Sequence, residues 1–257
     1  MIKIKHYVRP DSVKEAYNLL VQKRSNVVLG GMLWLKMQNK TVDTAIDLQD
    51  LGLNEIEETA TTWRIGAMVS LRDLELHPGL NLLTHGALAD SLRQIVGVQF
   101  RNTATIGGSL YGRFGFSDIL PLFLALNAKV DLYRRGKISL EEFAALPRSE
   151  RDLLIRVIVP KTPRRMVYLS QRNTATDFPV LTCAVSQTAE ETLCAVGARP
   201  GKAVCLHGLP DDPQAAADTV TAQLQFGSNV RAGAEYRQKI CSVLVRRAMT
   251  ALHNQEI

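Results

Sequence analysis

The sequence predicts an α+β protein in two parts, and three observations carry that expectation. Along residues 1–162, short apolar runs of strand length alternate with segments whose apolar positions recur at helical spacing. Two Gly-Gly pairs, Gly30-Gly31 and Gly107-Gly108, interrupt that alternation at points where the backbone must turn tightly or pass close to something else. A polar segment with two prolines, Pro160 to Arg165, then precedes three strand-like runs followed by helices. Residues 1–162 and 163–257 therefore read as a larger and a smaller domain.

The elements follow in order. Lys3 to Tyr7 alternates as a short strand. Pro10 and Ser12 open a helix, with Glu15 completing a capping box and Val13, Ala16, Tyr17, Leu19 and Leu20 on one apolar face. Val27 to Leu29 is a compact strand that runs into Gly30-Gly31, and Leu33-Trp34-Leu35 continues as helix. A strand, a Gly-Gly turn and a helix start make a layout suited to phosphate. Ala45 to Leu48 and Trp63 to Ala67 read as strands, and Ser70 with Asp73 starts a short helix. Ala87 to Val96 reads as an amphipathic helix with Leu88, Leu92, Ile95 and Val96 inward. Lys129 to Arg134 and Leu153 to Val159 are strands, flanking a helix capped by Ser139 and Glu142. Beyond the boundary, Met166 to Gln171, Val180 to Val185 and Leu193 to Ala198 form a three-stranded antiparallel sheet. His207 to Pro213 is a turn cluster and Gln214 to Leu224 a helix. Ala234 to Leu252 is the longest helix, with Tyr236, Ile240, Val243, Leu244, Ala248 and Leu252 on one side.

The stretch Arg101 to Leu126 organises the rest. Successive amides around a Gly-Gly turn can form a concave anion site, and Thr105 and Ser109 flank the pair with hydroxyls. Thr105 to Ser109 is accordingly expected to hold the phosphates of a nucleotide cofactor. An isolated Gly-Gly would more simply be a tight turn between buried elements. Asp118, where the next helix begins, suits an N-cap somewhat better than a ribose contact, and the two roles are compatible.

These residues resemble a known family. Arg101-Asn-Thr-Ala-Thr-Ile-Gly-Gly-Ser109 and Ser117-Asp118-x-x-Pro121 through Leu126 are similar to the second FAD-binding motif of the flavoprotein, or medium, subunits of the molybdenum hydroxylases, the xanthine dehydrogenase and carbon monoxide dehydrogenase family. The likeness extends in order through Arg9-Pro10-Asp11-Ser12, Gly30-Gly31, Val157 to Pro160 and Arg231 to Arg237, and so spans almost the whole chain. The resemblance implies a two-subdomain FAD-binding domain of the vanillyl-alcohol-oxidase (PCMH) type over residues 1–162. It implies a smaller α+β domain of the carbon monoxide dehydrogenase flavoprotein type over 163–257. It further implies FAD contacts at Leu29, Gly30, Gly31, Met32, Leu33 and Trp34, at Thr105, Ile106, Gly107, Gly108, Ser109 and Gly112, and at Asp118. Ile95 would lie near the flavin ring and Leu154 near the adenine, although core packing explains both equally well. The implied partners are an iron–sulfur subunit and a molybdopterin-binding subunit. Electrons would pass from the clusters through FAD to an acceptor such as NAD+, with no catalytic acid or base on this chain.

Two positions depart from the family pattern. Its first turn ordinarily reads Gly-Gly-Thr-Asp-Leu or Gly-Gly-His-Ser-Leu, where this chain has Gly30-Gly31-Met32-Leu33-Trp34. A side-chain hydrogen bond is worth about 0.5–1.5 kcal/mol, so without one or two of them FAD would be held about ten- to a hundred-fold less tightly. A lysine expected near the start of the first C-terminal strand is absent. Leu169 aligns there, and Arg172 close by is either its substitute in charge or a surface residue.

Composition sets limits on function. With 46% hydrophobic and 22% charged residues the chain is of ordinary globular type, and its net charge of +6 is scattered rather than gathered into a nucleic-acid-binding run. Cys183, Cys194, Cys205 and Cys241 lack metal or cluster spacing and read as buried thiols in a reducing compartment. The histidines His6, His77, His85, His207 and His253 are isolated, so no metal site is expected. No apolar run suggests a leader or a membrane span, which places the protein in the cytoplasm. Two alternatives to the FAD subunit stand. One is a flavin-free structural subunit that keeps the fold and the partner surface, motivated by Met32-Leu33-Trp34 and the missing lysine. The other is a stand-alone flavin reductase, for which the sequence offers no polar substrate cluster.

Overall fold

In the computed structural model, which describes residues 1–254, three sheets organise the chain. The N-terminal layer comprises β1 (Lys3–Val8), α1 (Val13–Gln22), β2 (Val27–Leu29) and β3 (Thr41–Asp47), with both outer strands parallel to β3 in the order β1-β3-β2. Ser12 caps α1 by accepting the amide of Glu15 at 3.2 Å, while Glu15 reaches back to the amide of Asp11 at 2.9 Å. Leu20, Ile46, Leu48 and Leu153 bury the face of α1 against the sheet.

The second layer begins with β4 (Ile56–Glu58), β5 (Thr62–Gly66) and the short helices α2 (Leu71–Leu76), α3 (Pro78–Leu83), α4 (Ala87–Leu92), α5 (Val98–Thr103), α6 (Ile106–Tyr111) and α7 (Ile119–Ala125). It ends with β6 (Lys129–Leu132), β7 (Gly136–Ser139), α8 (Leu140–Ala145) and β8 (Leu154–Pro160). Its five strands are antiparallel throughout, in the order β4-β5-β8-β6-β7.

The C-terminal sheet has four strands, not three. β9 (Arg165–Gln171), β10 (Leu181–Gln187) and β11 (Thr192–Gly197) are joined by β12 (Val204–Leu206), in the order β12-β11-β10-β9. Three residues are too few to show the alternation that marks a strand. β12 exists because Val204 to Leu206 find partners in Cys194 to Val196. β10 and β11 are buried along their whole length because both faces are covered. Cys183, Val185 and Val196 pack on α9 (Pro213–Gln223) and α10 (Ala234–Leu252), and Ala184, Leu193 and Ala195 join the core that contains α7. All four cysteines are buried free thiols.

Three further helix expectations need correction. The helix expected over 87–96 stops at Leu92, and Val96 is 51% exposed with φ of 50° rather than inward. Gly97, with extended backbone, then starts α5. Leu33 to Leu35 form a turn, closed by the Lys36 amide on Met32 O at 2.8 Å, because Gly31 and Met32 both have left-handed φ. On α10 the inward face is Arg237, Cys241, Leu244, Val245, Ala248, Met249 and Leu252, whereas Tyr236 is exposed. Arg237 is fully buried and ties the preceding loops together through Val180 O, Gly227 O, Ala232 O and Asn229 Oδ1.

The core runs without a break from Trp63 across residues 162–163 to Cys205. Arg164 is buried in that crossing segment and donates to Leu126 O, Pro160 O and Thr162 O, and its burial lowers the guanidinium pKa to about 10.

Candidate functional site

The two Gly-Gly turns meet. Gly30 leaves the C-terminal end of β2, and Gly108 lies in the first turn of α6. A Cβ on Gly30 would stand 3.0 Å from the Gly108 Cα and 3.0 Å from Thr105 Oγ1. Gly31, with φ of 84°, packs so closely that a Cβ there would lie 2.0 Å from Thr103 O. Glycine is thus required at both turns first of all because one backbone rests on the other.

Around this contact lies a cavity of about 540 Å³ between the parallel layer and the five-stranded layer. Interfaces of this kind, at the carboxyl ends of parallel strands, are where α/β proteins place ligands. Of the residues predicted from sequence, Leu29, Gly30, Met32, Leu33 and Trp34 line it from one side, and Thr105, Gly107, Gly108, Ser109, Gly112 and Leu154 complete it. Gly31 and Ile106 support the wall without lining it. Ile95 and Asp118 belong to an adjoining cavity of about 180 Å³, which shares Trp34, Phe100, Ser109 and Phe114 with the first.

The hydrogen bonding at the turns reverses one sequence expectation. The amides of Ile106 and Gly107 donate to Val69 O (2.9 Å) and Ala67 O (2.8 Å). The Gly108 amide donates to Thr105 Oγ1 (3.1 Å) and the Ser109 amide to Thr105 O (3.0 Å). These donors are committed to the fold. The amides of Gly31, Met32, Leu33 and Trp34 have no partner among the described residues, so the free backbone donors belong to the first turn.

Asp118 holds the N-cap position of α7, but its side chain does not cap the helix. Ser117 Oγ accepts the Leu120 amide at 3.1 Å, while Asp118 is buried, accepts the Tyr168 hydroxyl at 2.7 Å and pairs with Arg172. Burial pushes the Asp118 carboxyl up to about 6, against the opposing pull of Arg172 and Tyr168. Arg172 is therefore a buried wall of the second cavity, not a surface residue.

Sequence reasoning missed the aromatic character of this second cavity. Trp34 sits 5.4 Å from Phe116, 5.4 Å from Phe178, 6.2 Å from Phe100 and 6.4 Å from Phe114, centroid to centroid. Phe114 and Phe116 stack at 5.1 Å with their planes 8° apart. In a chain with only 6% aromatic residues, the close spacing of Phe114 and Phe116 just before Asp118 was the available signal. Flat aromatic walls beside a charged pair suit a planar, polar-edged ring.

Comparison with known proteins bears on the same region. The family described as the FAD-binding domain in molybdopterin dehydrogenase matches residues 2–162. The chain is 29% identical to the protein YgfM of Escherichia coli (strain K12), covering 94% of each. It is 27% identical to the nicotine 6-hydroxylase medium subunit of Paenarthrobacter nicotinovorans, covering 95% of each. Among solved structures, a chain of reconstituted CO dehydrogenase from Oligotropha carboxidovorans shares the fold with a TM-score of 0.86 at 23% identity, over 99% of both chains. A chain of quinoline 2-oxidoreductase from Pseudomonas putida 86 shares it with a TM-score of 0.84 at 18% identity, over 98% of this chain and 97% of that one.

Proposed function

The chain belongs to the family of the FAD-binding domain in molybdopterin dehydrogenase, and from that premise we propose that it is the FAD-carrying electron-transfer subunit of a molybdopterin-dependent hydroxylase or dehydrogenase. The observation that carries the reading is the contact between Gly30 and Gly108, two turns far apart in sequence that together shape the first cavity. The residues fit the cofactor. The unpartnered amides of Gly31 to Trp34 supply donors for a pyrophosphate, and Leu29 and Leu154 supply apolar surface for an adenine. Trp34, Ile95 and the aromatic walls of the second cavity would receive the flavin ring, with Asp118 and Arg172 at its polar edge. Bound there, FAD supplies the electron exchange, while the chain binds, orients and shields it. The likeness to a medium subunit supports a place beside an iron–sulfur chain and a molybdopterin chain, with an acceptor such as NAD+. No helix among the described residues is long and apolar enough to cross a membrane, and we place the complex in the cytoplasm.

The test is the visible absorbance of the purified chain, followed by identification of any nucleotide released on denaturation, before and after incubation with FAD. Stoichiometric FAD is the expected result. A folded chain that takes up no flavin even with its partner subunits present overturns the reading.

One observation favours a flavin-free structural subunit instead: Trp34 and its four phenylalanine neighbours already pack against one another around the second cavity. Tryptophan emission separates the two readings. In a Trp63→Phe variant the remaining Trp34 should be quenched on FAD addition, whereas unchanged Trp34 emission favours the structural subunit.

A further inference from the structure

The first cavity is also walled by two arginines, Arg113 and Arg148, that form no ion pair with a carboxylate among the described residues. Arg113, just after α6, is 2% exposed. Its Nε donates to Tyr111 O (3.3 Å) and its Nη1 to Phe143 O (3.2 Å) and Leu146 O (2.9 Å). The guanidinium carbon lies 4.9 Å from the Phe143 ring centroid. Nη2 has no partner among the described residues. Arg148 is exposed, lies over Phe114 at 5.8 Å and donates through Nη2 to Arg113 O at 3.3 Å, leaving Nε and Nη1 free.

The acidic residues of the same wall are committed elsewhere. Glu150 pairs with Arg135 at 2.6 Å, and Asp152 accepts the amides of Arg134, Arg135 and Leu153. Arg151 donates only to the carbonyls of Leu20, Arg24 and Asn26. Lys202 reaches Ala144 O at 2.7 Å, and burial together with the charges of Arg113 and Arg148 keeps its pKa below the ordinary lysine value. Carbonyl dipoles hold these cations in place, but the local charge remains positive. Such a group at a cavity wall is stabilised by an anion, and guanidinium forks match phosphate oxygens in pairs.

We propose that Arg113 and Arg148 form an anion site in the first cavity that takes the pyrophosphate of a dinucleotide. The two side chains would supply the polar groups that the Met32-Leu33-Trp34 turn lacks. Arg113 is the buried member, clamped by three carbonyls, and Arg148 the exposed one, tied to it through Arg113 O. That the dinucleotide is FAD rests on the preceding reading, whereas the anion site does not.

Calorimetric titration of the full chain with ADP, FAD and riboflavin tests this. ADP carries the pyrophosphate without a flavin, and riboflavin the ring without phosphate. Arg148→Gln, at an exposed position, should keep the thermal midpoint. It should weaken ADP and FAD about ten-fold, as expected for removing one charge-assisted hydrogen bond, and leave riboflavin unchanged. Arg148→Lys should restore part of the affinity, and the salt dependence of ADP binding should flatten in Arg148→Gln. Wild-type chain that binds ADP but not FAD would keep the anion site and reject the flavin reading. FAD and ADP affinities that stay at the wild-type level in both Arg148→Gln and Arg113→Lys would reject the anion site and keep the flavin. A wild-type chain that binds neither ADP nor FAD rejects the site as well.

Discussion

Arg172, just after the end of β9, closes on Asp118, at the start of α7, and the two side chains are 6% and 8% exposed. Tyr168 donates to the same carboxylate, and Arg172 also donates to Asp177 O. The C-terminal sheet is thereby fastened to the helix that begins at the second cavity. Burial is the dominant influence on the carboxylate and raises it to about 6 despite its cationic partner. The pair is therefore strained by desolvation as well as joined by charge.

Removing one partner should cost more than removing both. Arg172→Gln or Asp118→Asn alone is expected to lose about 3–5 kcal/mol, each leaving a buried charge unmatched, while the double variant should lose less than the sum. The pH dependence has a defined sign. The folded pKa of about 6 lies above the unfolded carboxylate value of about 3.9. The native state therefore holds more protons in between, and this group's contribution to stability falls as pH rises through that window. Urea unfolding across the window should show a shallower decline in Asp118→Asn than in the wild type.

A methyl group at Gly107 would stand 2.5 Å from Ala67 O and 2.8 Å from Ala67 Cβ. Gly107→Ala should therefore lower stability by about 1–3 kcal/mol by overpacking, and reduce FAD retention as a consequence. Ser109→Ala removes only a hydroxyl that donates to Thr105 O at 2.8 Å, and should change stability by less than about 1 kcal/mol. Thermal unfolding measured alongside flavin content separates the two. A fall in retention in Ser109→Ala with an unchanged midpoint marks a direct contact.

His207 bridges the layers, with Nε2 3.1 Å from Glu141 on α8 and Nδ1 3.3 Å from Glu191. Burial acts against its charged form, but the two carboxylates prevail and raise its pKa. Its contribution is fully present below the unfolded value of about 6.5 and is lost as pH rises through the folded value. Because the group is half exposed, the effect should stay below about 1 kcal/mol and weaken with salt. His207→Gln should remove the part of the stability decline that sets in as pH rises above about 6.5, measured by denaturant unfolding.

Much of the local structure was legible in the chain. Ser12, Ser70 and Ser139 cap helices as their spacing to Glu15, Asp73 and Glu142 indicates, because donor and acceptor lie three residues apart. The bounds of β2 and α10 match those read from apolar spacing. Most of the site residues that the resemblance implied lie at the two adjoining cavities, because the two Gly-Gly turns that carry it meet there.

The sequence by itself determined the capped starts of α1, α2 and α8, the bounds of β2 and α10, where the turns need glycine, and which family the chain resembles, because those properties rest on interactions within a few residues. Only the tertiary structure decided the partner of Asp118, which lies 54 residues away in Arg172. It also decided the fourth strand β12, the aromatic surroundings of Trp34, and which of the two Gly-Gly turns keeps its amides free. Each of these depends on what the fold brings alongside. A buried carboxylate takes whatever cation packs against it, and an amide is free only if no carbonyl from another layer reaches it.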